Sequence, residues 1–451
     1  MEPPELDRLV GMEVYLSTSP GIGGGIRRRP EDFVVEEILV DGSRATVSPP
    51  EDVEVRGDGS HLVCLLVKRG WDTLLIVREI AGRLGVDPKV VKTAGIKDAR
   101  AVTAQHISIR GITPKQILEI RIRNAHLKPL RYSRTPISTG ILLGNAFQVT
   151  IREIEIPELD VKDRINRILA ELNLAGGLPN FFAYQRFGTV RPITHVIGGH
   201  IIRGEYEEAV YALLTRDSPH EHPAAREARR RLRETMDYAE ALRLFPPHLK
   251  YERAALKRLA RNPRDFIGAL KRLPPRLLRL FTHAYQSYLF NRFLSGRIKQ
   301  IEAPHTPNPG DYLVEVDGHG LPTGRCITVT ESNLREASEL VKRGTARVAL
   351  PLIGFRQNPS LGRQGELEAE ILEEEGIKPG DFKLKEFPEA SARGSLRAAF
   401  TIIKDFAVRS VDLDPQGRAS ATLSFTLLRG TYATTLLREI MKPKNPIDAG
   451  F

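Results

Sequence analysis

Two stretches of the chain alternate apolar with polar residues, and a long middle stretch repeats its apolar residues at helical spacing. Within the first 155 residues, β-branched runs at 32–39 (DFVVEEIL), 61–67, 103–109 and 145–151 are bounded by Gly and Pro and are predicted to be strands. Between them, Leu74, Leu75, Val77, Ile80 and Leu84 recur at helical spacing behind Asp72, which can cap the first turn. Gly85 and Pro88 then end that helix and open a shorter one. Near Gly176 and Gly177 the character changes. Helical periodicity covers 161–172 just before the glycine pair, then a segment from about Tyr206, a basic helix over 224–244, and helices over 251–260 and 277–293. Proline pairs at 246–247 and 274–275 break this run. After Pro304 short strands return, with an acidic helix over 361–376. The segment 406–432 alternates again, with Leu423, Phe425 and Leu427 on one face and Thr422, Ser424 and Thr426 on the other, before a closing helix at 434–441.

Strand-rich ends around a helical middle point to an α+β protein whose two ends form one domain interrupted by an insertion; three consecutive domains fit the same pattern. A length of 451 residues favours two domains, or one with a large insertion, over a single core. With 41% hydrophobic and 27% charged residues the chain reads as soluble and globular. Its longest apolar runs, such as 62–67 (LVCLLV), fall far short of the roughly 20 residues of a membrane-spanning helix. The N-terminus lacks a basic segment followed by an apolar one, so a cytoplasmic location and no membrane association are expected. Cys64 and Cys326 lie in strand-like stretches without further ligands at metal spacing, and both are expected to be buried free thiols.

The net charge of +11 is clustered. Residues 226–264 hold twelve Lys/Arg against five Asp/Glu, and Arg121, Arg123, Lys128, Arg131 and Arg134 form a second group. Such patches attract polyanions, although arginine-rich helices also present simple solvated faces.

The most unusual stretch is KTAGIKDARAVTAQ at 92–105, which places Asp98 in a turn at the entrance of a strand. Gly95 would let the backbone bend or approach a ligand closely. An aspartate beside cations is held ionised and can serve as a nucleophile, yet in isolation an Asp in a turn is a cap or an ion pair. The segment PGIGGGI at 20–26 lacks both the GK[ST] ending of a phosphate-binding loop and the last glycine of a dinucleotide fingerprint, so no nucleotide cofactor is expected.

AGIKD followed by AVTAQ resembles the signature of the TruD pseudouridine synthases. Four further segments match that family in order: PEDFVVEE at 30–37, GNAFQV at 144–149, PNFFAYQRFG at 179–188 and GTYATTLLRE at 430–439. HAYQSYLFN at 283–291 and ALPLIG at 349–354 fit more loosely. The resemblance implies a pseudouridine synthase catalytic domain with a mixed, largely antiparallel sheet, formed by residues 1–176 and 400–451. A large α+β insertion (TRUD) domain over 177–399 would interrupt it. It also implies isomerisation of a tRNA uridine, expected at position 13, without metal or cofactor, with tRNA as partner and no obligate protein partner. Asp98 would be the nucleophile, by attack on C1′ or by removal of the 2′ proton, and Arg27 its basic partner where relatives often carry Lys. Phe33, Asn145, Phe147 and Tyr432 match positions lining the uridine pocket; without that match Phe33 and Tyr432 would read as core aromatics and Asn145 as a turn residue, and Tyr432 stands where some relatives have Phe. Gln185, Arg186 and Phe187 are expected at the domain junction or against RNA. His195, His200 and His283 have no evident acid partner and are read as structural. A non-catalytic RNA-binding protein with the same cleft is the competing reading, and retention of Asp98, Phe33 and Asn145 together argues against it.

Overall fold

The computed structural model describes residues 2–48 and 54–451. Six strands form in the first part of the chain: β1 (Phe33–Leu39), β2 (His61–Arg69), β3 (Val91–Thr93), β4 (Val102–Arg110), β5 (Ala125–Ser133) and β6 (Leu142–Ile154). Next come β7 (Leu178–Pro179), β8 (Tyr312–Val316), β9 (Pro322–Thr328), β10 (Ala346–Leu352), β11 (Ser395–Ala398) and β12 (Phe400–Thr401). The last two are β13 (Lys404–Leu413) and β14 (Ala419–Leu428). An eight-stranded sheet runs β13-β14-β6-β1-β4-β2-β5, with β3 beside β4. Only β1 and β4 are parallel in it; every other pair is antiparallel. β4 is buried along nearly its whole length, as a central strand requires. β14 keeps the expected alternation, with Leu423, Phe425 and Leu427 in the core.

The helix behind Asp72 spans Thr73–Leu84, and the Asp72 carboxylate accepts from Leu74 N and Leu75 N at 2.8 and 3.0 Å. It covers β2 and β4 with Ile76, Val77 and Ile80.

Between β7 and β12 lie seven helices from Thr194–Arg203 to Pro275–Gln300 among the described residues, and a four-stranded sheet in the order β11-β10-β8-β9. The helix Thr194–Arg203 was not expected from the sequence, and the helix placed at 277–293 extends over Pro275–Gln300. The basic helix expected over 224–244 is two, Pro223–Thr235 and Tyr238–Leu244. Met236 adopts a left-handed backbone between them, and Asp237 caps the second. Cys64 is buried, but Cys326 is exposed, because β9 is an edge strand with little covering it.

The chain enters and leaves this middle region on a two-stranded antiparallel ladder, Leu178 opposite Thr401 and Pro179 opposite Phe400. The N-terminal segment crosses both parts. Asn291 donates to Val10 O and Phe182 O, and Ser295 Oγ donates to Gly11 O. Asp7 accepts from Arg438 and from the Tyr184 hydroxyl in the interior. One apolar core therefore runs continuously from β6 and β14 into the helix Pro275–Gln300. Among the described residues no helix is long and apolar enough to cross a membrane.

Candidate active site

The antiparallel register of β1 and β6 sets Phe33 opposite Val149, Val35 opposite Phe147 and Glu37 opposite Asn145. Because strand side chains alternate faces, all six project to one side of the sheet. β14 lies on the other flank of β6 and adds Phe425 opposite Phe147 and Leu427 opposite Asn145. Asn145 is thus a strand residue between two partners, as the strand predicted over 145–151 has it, and not a turn residue; pairing on both sides outweighs the low strand preference of Asn. Gly144, just before it, lies so close to β14 that a Cβ would come within 2.2 Å of Leu427 O.

Asp98 lies in the loop between β3 and β4, over this face. Thr73 Oγ1 accepts from Lys97 N at 3.0 Å and donates to Lys97 O at 3.2 Å, and Lys68 Nζ donates to Asp98 O at 2.9 Å. Burial pushes the Lys68 ammonium down to about 8, against the opposing pull of Asp98 and Asp72. Gly95 has no left-handed φ, and a Cβ there would meet only Lys97 Nζ at 3.7 Å and Leu142 Cδ2 at 3.8 Å, so the fold itself does not require glycine there.

Arg27 Nη2 donates to Asp98 Oδ1 at 2.9 Å, joining the two residues as expected. The Arg27 side chain is 9% exposed and that of Asp98 36%, so the pair sits at a boundary with the carboxylate toward solvent. Arg27 has φ 56°, its Nη1 donates to Gly450 O at 3.2 Å, and its guanidinium carbon lies 4.2 Å from the centroid of the Phe33 ring. Burial lowers the Arg27 pKa and Asp98 opposes that shift. Phe33 itself is only 1% exposed, with the guanidinium over its face, so its contribution is to seat Arg27. Phe147 packs edge-on against Phe33 at 6.1 Å and is stacked on Phe425 at 5.2 Å.

These residues line one cavity of about 470 Å³, together with Ile96, Lys97, Asn145, Gln185, Gly430 and Tyr432. The structure thus brings together all six residues singled out from the sequence, Asp98, Arg27, Phe33, Asn145, Phe147 and Tyr432. Asn145 Oδ1 is buried without a hydrogen-bond partner, and so are both amide atoms of Gln105. Tyr432 is half-buried and leads into the helix Ala433–Met441, with its ring 6.3 Å from that of Phe182. Gln185 is exposed at the rim, Arg186 donates to Ser287 Oγ at 3.1 Å, and Phe187 is wholly buried against His195, so these three divide between rim and junction.

Sequence reasoning missed the support beneath Asp98. Lys97 Nζ meets Glu37 Oε2 at 2.7 Å, with the Lys97 side chain 4% and the Glu37 side chain 0% exposed. Glu37 Oε1 also accepts from His106 N at 2.9 Å. Burial works against the carboxylate, but His106 and Lys97 overcome it and leave the Glu37 pKa below its ordinary value. The signal was present: in the alternation Phe33, Val35, Glu37, an acid occupies an inward position.

Of the histidines, His195 is buried and its pKa falls to about 4 through burial. His200 does have an acid partner, contrary to expectation. Its Nδ1 lies 2.7 Å from Glu205 Oε2, because the chain reverses at Gly204, which has φ 77°. His283 has its pKa lowered by burial, reinforced by Arg186 and Arg279. Part of the basic segment 226–264 is paired internally. Arg229 is fully buried, bound to Glu221, Glu252 and the carbonyls of Leu213 and Leu214, while Arg230, Arg231 and Arg233 pair with Glu227, Glu240 and Asp217. In the second cluster, Arg131 pairs with Asp41 and Arg134 with Asp58 at the surface.

The family profile of tRNA pseudouridine synthase D (TruD) matches residues 9–440. A protein of Methanococcoides burtonii described as "Probable tRNA pseudouridine synthase D" is 36% identical over 97% of this chain and 98% of its own. One of Methanopyrus kandleri with the same description is 40% identical over 85% of this chain and 86% of its own. The crystal structure of a Methanosarcina mazei TruD protein superposes with a TM-score of 0.84 at 35% identity, covering 98% of this chain and 99% of that one. The chain belongs to the TruD family of tRNA pseudouridine synthases, which are isomerases.

Proposed function

We propose that the protein converts a tRNA uridine, at position 13, to pseudouridine, with Asp98 as the nucleophile. The observation that carries this reading is the Arg27–Asp98 ion pair at the mouth of a cavity walled by aromatic rings, with an unpartnered amide oxygen inside. Arg27 binds Asp98 Oδ1 and fixes that carboxylate oxygen, which leaves the other to react. A stacked uridine is out of reach of this carboxylate, so the nucleotide must swing out of the RNA, at a cost of a few kcal/mol. Tyr432 offers a ring for the extruded base, and Asn145 Oδ1 can accept from uracil N3–H. Asp98 then acts on the ribose as the glycosidic bond breaks. The uracil turns, its C5 bonds to C1′ as Asp98 is released from the ribose, and the C5 proton is lost while N1, freed from the sugar, takes one up, so that the product is an isomer of the substrate.

In the same reading residues 1–176 and 400–451 form the catalytic domain and 177–399 the insertion. Support comes from the ladder of β7 with β12, which lies at both proposed boundaries.

The test is tritium release from C5-labelled uridine in transcribed tRNA. The wild type is expected to release it, and Asp98→Asn to release essentially none while still binding tRNA. Equal release from both proteins would remove Asp98 from the reaction, and modification mapped to another uridine would overturn the position.

A further inference from the structure

Beside the uridine cavity lies a second, smaller one of about 200 Å³, between the four-stranded sheet and the end of β14. It shares Thr431 with the first. Three arginines line it and no Asp or Glu does: Arg347 on β10, Arg397 on β11 and Arg429 just after β14. Two of them are held in place by carbonyl and amide oxygens. Arg397 donates to Asn180 O at 3.0 Å, to Asn180 Oδ1 at 2.6 Å and to Gly430 O at 2.8 Å. Arg429 Nη1 donates to Gly140 O at 2.8 Å and to Thr139 O at 3.1 Å. Arg347 is half-buried, and among the described residues no hydrogen bond or ion pair occupies its guanidinium. Burial lowers the pKa of Arg347, and it lowers that of Arg397 to about 10.

Three arginines lining one cleft with no acid in its walls form an arrangement that the cleft itself leaves unbalanced. In the surface basic clusters, by contrast, Arg131, Arg134, Arg230, Arg231 and Arg233 each pair with a neighbouring acid. Planar donors in a cleft of this size suit a phosphate group, which Arg binds through paired N–H donors. Gly430 connects the two cavities: it lines the first, and its carbonyl is bound by Arg397 of the second. We propose that Arg347, with Arg397 and Arg429, forms a subsite for the backbone phosphodiester adjacent to the target uridine. The inserted β10 and β11 thereby contribute directly to holding the substrate strand. This proposal rests on the reading of the first cavity as the uridine site.

The test uses Arg347, whose guanidinium has no hydrogen bond or ion pair to lose among the described residues, and compares Arg347→Gln with the charge-retaining Arg347→Lys. Binding of transcribed tRNA is measured by equilibrium titration across a range of salt concentrations. Arg347→Gln should weaken affinity roughly tenfold and reduce the slope of log Kd against log salt by about 0.7, the value for one phosphate of a single strand. Arg347→Lys should keep the slope. In a scan of short RNAs carrying one neutral methylphosphonate linkage each, a linkage next to the target uridine should weaken wild-type binding and have little added effect on Arg347→Gln. Unchanged affinity and slope in Arg347→Gln would overturn the proposal. A scan in which no linkage is coupled to Arg347 would also overturn it and assign the cleft to a free anion. Because binding is read without turnover, these outcomes stay distinct from failure of the proposed reaction, in which the wild type binds tRNA but releases no tritium.

Discussion

Lys97→Met removes one partner of the buried pair beneath the Asp98 loop and leaves the Glu37 carboxylate with His106 alone. Both side chains are almost completely enclosed, so solvent cannot replace the lost ammonium, and breaking such a pair costs about 3–5 kcal/mol. At an unfolding entropy of about 2.1 cal/mol/K per residue, a 451-residue chain loses about 1 °C of melting temperature for each ~0.95 kcal/mol. Lys97→Met should therefore melt about 3–5 °C below wild type in a calorimetric scan. Glu37→Gln combined with Lys97→Met removes the stranded charge while keeping an acceptor for His106 N, so the double variant should melt above Lys97→Met alone. The wild-type pair also predicts a pH response. The Glu37 pKa is lower folded than its ordinary 4.5, so its contribution is complete above about pH 4.5 and is lost as pH falls through the folded value. A Lys97→Met melting temperature within about 1 °C of wild type, or a double variant showing the sum of two losses, would refute the reasoning.

Phe147→Ala opens a hole between Phe33 and Phe425 and should cost about 3–5 kcal/mol, seen as a lower urea midpoint, together with weaker RNA binding. Arg229→Ala strands Glu221 and leaves Glu252 with Arg191 alone, so it should lower the melting temperature while tRNA affinity below the transition stays near wild type; a large affinity loss would return this helix to the RNA interface. For Lys68 the unfolded chain binds more protons than the folded one between pH 8 and 10.5, so its share of stability rises with pH across that window. Melting curves of wild type and Lys68→Met should therefore diverge there, and parallel curves would exclude it.

The helix behind Asp72, the alternation of β14 and the strands around Asp98 were legible because each follows from local periodicity and capping. Asp98 and Arg27 were legible only as members of an ordered set of motifs, since an aspartate in a turn carries no chemistry by itself. Contacts made across the fold were not legible. Arg397 reaches Gly430 and Asn180 from distant parts of the sequence, and nothing near it signals either partner. His200 looked partnerless because its acid lies beyond a glycine reversal. The excess positive charge of residues 226–264 suggested a polyanion surface, but composition counts charges without showing which are consumed internally; the burial of Arg229 depends on Glu252, on another helix.

Arg27 shows how the reactive geometry depends on the whole chain. Its left-handed backbone is unfavourable for a side chain of that size and persists only where the surroundings impose it. The surroundings here come from three segments: Phe33 beneath the guanidinium, Asp98 in front, and residues 449–450 behind, where Gly450 O accepts from Arg27 and Ala449 O accepts from the preceding Ile26 N at 2.8 Å. Only Phe33 is near in sequence, so the ion pair can reach its final geometry only after the sheet has closed and residues 449–450 have docked. Loop closure over such separations is entropically costly, and its reward is a charged pair already oriented before any substrate arrives. A carboxylate held this way would need little reorganisation on meeting a ribose, so a loop pinned by Thr73, Lys68 and Arg27 suits the proposed nucleophile better than a freely moving tip.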